Sequence, residues 1–116
     1  MAYDEDLAAR VRERLRGRAD VSEKRMFGGL AFLVAGSMAI AVSGKGGLMA
    51  RVDPAEGPDL VERDGVAPMI MNKRPMSGWL RVAPDVVDDA AALDEWVSRC
   101  VGYVDGTINA PDAGRP

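Results

Sequence analysis

The sequence predicts one α+β domain, ordered α-β-β-β-α-β-β-α, with an antiparallel five-strand sheet and helices packed on it. Two observations carry this. Both ends of the chain repeat apolar residues at helical spacing, and the middle holds short apolar runs bounded by glycine. The length agrees: 116 residues fit a single domain, and a chain of this size buries roughly 65% of its unfolded surface without metal or disulfide staples.

The first helix is placed at residues 3–17. Leu7, Ala8, Val11 and Leu15 form one stripe, with Asp4, Glu5 and Asp6 at the positive end of the helix dipole and Arg14, Arg16 and Arg18 at the other. Gly17 sits where the helix should stop. Lys24 to Phe27 is a further strand candidate, left out of the count of five. Leu30–Ala35, Met38–Val42 and Leu48–Val52 read as a meander with turns at Gly36-Ser37 and Ser43–Gly47. Asp53-Pro54 opens a short peripheral helix over 54–64, closed by Gly65. Val66–Met71 and Gly78–Val82 are the last two strands, linked by the polar segment Asn72–Ser77. Leu93, Trp96, Val97, Cys100, Val101 and Val104 then mark the apolar face of a helix over 88–105, ended by Gly106. The domain spans 1–106, and residues 107–116 read as a disordered tail. Leu7, Val11, Leu15, Leu93, Trp96, Val97, Cys100 and Val101 are the expected core.

Composition excludes several chemistries. The chain contains no histidine and one cysteine. Ser-His-Asp and Cys-His catalysis, a Cys₄ zinc site, a CxxC redox pair and an intrachain disulfide are therefore ruled out. A lone cysteine and an acidic N-terminus fit a soluble cytoplasmic protein better than a secreted one. No apolar run approaches the ~18 residues that cross a bilayer. The net charge of −3 disfavours a general nucleic-acid binder. No catalytic constellation, cofactor motif or metal-ligand spacing emerges.

Several blocks are more specific: Arg25-Met26-Phe27-Gly28-Gly29, Gly36 with Met38-Ala39, Leu48-Met49-Ala50-Arg51-Val52, Arg74-Pro75-Met76-Ser77-Gly78-Trp79, and Leu93 with Trp96. Together they resemble the TfoX/Sxy N-terminal domain family over about residues 5–105. The resemblance implies an α-β(3)-α-β(2)-α fold like that of secretion chaperones, whose members commonly form dimers. Full-length TfoX/Sxy proteins regulate natural competence, act with the cyclic-AMP receptor protein at promoters, and carry a second, helical C-terminal domain. This chain reads as ending where that domain would begin, so the competence role is not carried over. The family has no established catalytic residues to transfer.

The motifs also have physical readings. The paired glycines of the first block suggest a bend or bulge with positive φ, or alternatively a backbone anion nest. Gly44-Lys45-Gly46-Gly47 is a hairpin turn rather than a phosphate loop, since Ala39 stands where the loop's first glycine is needed and Gly46 where Ser or Thr is. Arg74, Pro75, Met76, Gly78 and Trp79 are either a strand connection anchored by the indole or a partner-binding loop. Arg10, Arg14, Arg18 and Arg25 belong to the local +4 charge of residues 10–25, either a solvated helix face or a face for anions and acidic partners. Methionines 26, 38, 49, 69, 71 and 76 cluster in the strand half, as core filler or as an adaptable surface.

The leading expectation is a non-enzymatic regulatory domain with a protein partner, the candidates being a transcription regulator and a second copy of itself, and with no specific nucleic-acid or membrane binding. The alternatives are a small-molecule or anion-binding module on the sheet face, or an unrecognised small enzyme. On the inner sheet surface, an open pocket with convergent polar groups favours ligand binding, whereas a filled apolar face with an exposed apolar patch elsewhere favours a partner.

Overall fold

A computed structural model describes residues 3–26 and 28–108. Helix α1 runs Glu5–Arg14, shorter than the 3–17 expected. Asp4 caps it, its carboxylate accepting from the Leu7 amide at 3.1 Å. Residues 15–17 form a turn. Six strands follow, not five: β1 Val21–Met26, β2 Gly29–Val34, β3 Ser37–Val42, β4 Leu48–Arg51, β5 Val66–Met71 and β6 Arg74–Val82. They form one antiparallel sheet in the order β1-β2-β3-β4-β6-β5.

The extra strand is β1. Its centre, Ser22-Glu23-Lys24-Arg25, is exposed throughout, so it lacks the apolar alternation that identifies strands in sequence. Charge of this kind guards an edge against pairing with another chain. Phe27, at the end of the predicted segment, lies outside the described residues.

The segment 72–77 also differs from expectation. Asn72 and Lys73 both hold positive φ (53° and 65°), the signature of a two-residue hairpin turn, and β6 begins directly at Arg74. The polar composition hid a strand. Helix α2 contracts to Gly57–Leu60, and α3, Pro84–Val87, has no apolar stripe long enough to announce it. Helix α4 spans Ala90–Tyr103, capped by Asp89, which accepts from the Ala92 amide. Gly106 does not end the helical chain, which continues as a π-turn over Val104–Ile108 with Val104 fully buried. Thr107 and Ile108 are therefore structured, and the rest of the expected tail, 109–116, lies outside the described residues.

Helices α1 and α4 pack on one face of the sheet. Leu7, Val11 and Leu15 meet Phe32, Ile40, Val42, Leu48, Leu80 and Val82 beneath Leu93, Trp96, Val97 and Cys100. Seven of the eight expected core residues are buried, and Val101 is half-buried against the same cluster. Burial pushes the Cys100 thiol up to about 12.

Candidate functional site

The site lies on the other face of the sheet and starts from an irregularity in β6. Pro68 pairs with Leu80 and Ile70 with Pro75, so β5 moves from 68 to 70 while β6 moves from 75 to 80. The surplus residues form a bulge. Gly78 makes it feasible. Its φ is +83°, and a Cβ there would lie 3.2 Å from the Val52 carbonyl oxygen and 3.3 Å from Pro54. The Val52 amide donates to the Gly78 carbonyl at 2.8 Å, tying the bulge to the end of β4. As a result, Met76 and Trp79 both pack into the cluster on the helix-free face.

The register then assembles the rest. Lys24, Ala31, Ala41, Met49, Arg81 and Ala67 are successive cross-strand partners, so their side chains share one face. Ala31 and Ala41 are small and fully buried, and longer side chains surround them. Met26, Met38, Met49, Met69, Met76 and Trp79, with Ala41, line a half-open cavity of about 170 Å³. The side chain of Met71 lies outside the described ones. A shallower groove of about 260 Å³ lies beyond the bulge, between Pro54, Pro58, Pro68 and Pro75, and shares Met76 and Trp79 as a wall.

Four cations share this face with the apolar patch, among them Arg74, which is in register with Met71 and two residues before Met76. The Arg51 guanidinium lies 5.7 Å from the centre of the Trp79 ring and donates to the Met38 carbonyl at 3.1 Å. Arg81 reaches the hydroxyl of buried Ser43 at 3.5 Å. Lys24 is exposed at the end of the row. Among the described residues, none of the four makes an ion pair. The six strands contain a single acidic residue, Glu23, which turns to the helix side and holds Arg12 at 2.6 Å. That contact lowers the Glu23 carboxyl from its usual range.

The helix side is the electrostatic opposite, because most of its arginines are matched by acids. Arg14 pairs with Asp94, whereas Arg10 makes no ion pair and donates to the Asp88 backbone carbonyl at 3.3 Å. Arg18 is held between Asp20 and Asp105, and hydrogen bonds to those carboxylates raise its pKa. Arg63 and Arg99 share Glu95, and Arg99 also reaches Glu56. A cleft of about 560 Å³ between Glu56, Glu95, Arg99 and Tyr103 is lined by these mutually paired charges.

Of the residues singled out in the sequence, Met76, Gly78 and Trp79 come together with the strand methionines. Arg74 and Pro75 start β6 and are exposed. Arg10, Arg14 and Arg18 are gathered against α4 and the turn after it, whereas Arg25 stands apart, exposed on β1 and paired in register with Leu30. Sequence reasoning singled out Arg74 but not Arg51 or Arg81, and it counted Lys24 only within the basic segment 10–25. The signal available was the alternation Met49-Ala50-Arg51 and Trp79-Leu80-Arg81, which sends the flanking residues of each triplet to one face. Paired glycines at the β1–β2 turn act sterically: Gly28 has φ +74°, and a Cβ at Gly29 would fall 2.2 Å from the Val42 carbonyl oxygen.

The described residues hold no group of three or more His, Cys, Asp or Glu side chains that could bind a metal, and no helix long and apolar enough to cross a membrane. What the fold defines is an α+β domain with one helix-covered face and one apolar, cationic face. The chain belongs to the TfoX N-terminal domain family, whose sequence pattern matches residues 13–103. No curated protein and no solved structure matches it significantly.

Proposed function

We propose that this chain is a non-enzymatic regulatory domain that docks a protein partner on the helix-free face of its sheet. The observation that carries this is the methionine–tryptophan cavity with Arg51, Arg81 and Lys24 around it, a face covered by no element among the described residues. Adaptable thioethers beside a half-buried indole and an arginine are the residue types that dominate binding energy at protein interfaces. The polar groups stand at the rim rather than converging inside, which supports a partner over a small polar metabolite. The volume argues the same way, since sites for metabolite-sized ligands usually occupy about 300–1,000 Å³.

The test is capture from extracts of the native cell by the wild-type chain and two variants, with quantitative mass spectrometry. Met76→Lys places a charge at the cavity wall, and Arg16→Glu alters an exposed residue on the helix side. A partner held by wild type and Arg16→Glu, and lost by Met76→Lys, is the expected result. A partner held equally by all three rejects docking on this face.

A further inference from the structure

The same face specifies what kind of segment it takes, an inference that rests on the docking reading above. We infer that it recognises an acidic peptide segment through a single phenylalanine, with the ring seated in the methionine cavity and flanking carboxylates meeting Lys24, Arg51 and Arg81.

Size sets the anchor. A dry cavity of about 150 Å³ lined by apolar side chains is known to hold a benzene molecule, and this one is about 170 Å³. It fits one ring and excludes a folded ligand. Chemistry selects an aromatic ring over an aliphatic chain, because thioether sulfur makes favourable contacts at ring edges and five methionines surround the space. It also selects phenylalanine over tyrosine. Every lining side chain is Met, Ala or Trp, so a tyrosine hydroxyl would be buried without a good acceptor.

Charge sets the flanks. Four cations share the face with no carboxylate from any strand, on a chain whose net charge is −3. Complementary charge steers the encounter and suppresses wrong partners. A second copy of this chain fits poorly, since a two-fold axis through the face would set these cations against their own images.

The experiment is a display selection of random 12-residue peptides on the full chain. Fluorescence anisotropy is then measured on the selected peptide and on its Phe→Ala, Phe→Tyr and Asp/Glu→Asn/Gln forms. We expect acidic peptides with one phenylalanine. Binding should weaken at least tenfold with Phe→Ala and at least threefold with Phe→Tyr. It should also weaken at least tenfold for the protein variant Lys24→Gln/Arg81→Gln, checked for an unchanged thermal melt. In spectra of methyl-¹³C methionine, the peptide should shift the signals of Met26, Met38, Met49, Met69 and Met76. Neutral or basic selected peptides, no selection at all, or binding indifferent to the phenylalanine or to the two cations overturns the inference. So does a dimer by light scattering that Met76→Lys dissolves, because the occupant is then a second copy. If Met76→Lys still loses the cellular partner while the selection fails, the docking reading survives and the acidic-phenylalanine inference alone falls.

Discussion

Trp96 and Cys100 lie one turn apart on α4, and each makes a local chemical prediction. The Trp96 indole is fully buried, with the Arg63 and Arg99 guanidinium carbons each 5.9 Å from its ring centre. Both arginines are pinned by Glu95, so removing the ring leaves a void beneath a charge cluster that is already fixed. Trp96→Ala should cost about 3–5 kcal/mol in urea denaturation, and a loss under about 1 kcal/mol would place the ring outside the core. Cys100 is held as a thiol by burial, which raises it to about 12 from an ordinary value of 9.0. In the native protein it should resist alkylation at pH 8 and react only after denaturant is added, because the thiolate is the nucleophile. The linkage has a definite sign. Above pH 9 the unfolded chain releases this proton while the folded chain keeps it, so stability falls as pH rises from about 9 towards 12. Wild type should therefore lose more stability over that interval than Cys100→Ala, and parallel pH profiles for the two proteins would refute the assignment.

At the scale of elements, close strand approach is the most exposed commitment. A methyl group at Gly29 would collide with the Val42 carbonyl across the β2–β3 pair, so Gly29→Ala should destabilise by about 1–3 kcal/mol or more and broaden amide signals along both strands. An unchanged melt would show that the strands can part there. Elements with strong periodicity were legible in the sequence: the stripes of α1 and α4, the Ser43–Gly47 hairpin and most of the core. Elements defined by pairing were not. β1 is a strand because β2 offers an edge to it, from Val21 opposite Val34 to Met26 opposite Gly29, whereas its four central residues are polar. The Arg74–Trp79 block resembled a link because its proline, serine and glycine are bulge chemistry within a strand. The site was legible only as an excess of methionine. Its five cavity methionines come from β1, β3, β4, β5 and β6, and the order β4-β6-β5 that gathers them is a long-range fact. Lys24, Arg51 and Arg81 are far apart in the chain and meet through register alone.

Across the whole molecule, charge is segregated: acids and mostly paired arginines on the helix side, cations without an ion pair on the bare sheet. That arrangement bears on whether the domain reads DNA itself. The basic segment expected to touch phosphate spends Arg12, Arg14 and Arg18 on Glu23, Asp94, Asp20 and Asp105. Rupturing those pairs to reach a duplex would return little, since the arginines already have carboxylate partners. The sheet face offers four cations. Four phosphate contacts give a slope of only about −3.6 in log K against log salt, below what proteins making 6–10 such contacts show. With a net charge of −3 acting at long range against a polyanion, duplex DNA at physiological salt should bind no tighter than micromolar and without sequence preference. Fluorescence anisotropy over a salt series checks both numbers. Sub-micromolar, sequence-dependent binding, or a slope steeper than about −5, would require the helix-side pairs to open onto DNA and would make this domain a direct reader rather than a docking platform. A shallow slope that Lys24→Gln and Arg81→Gln flatten further would locate the residual affinity on the sheet face, where an acidic partner segment and a phosphate backbone would compete for the same cations.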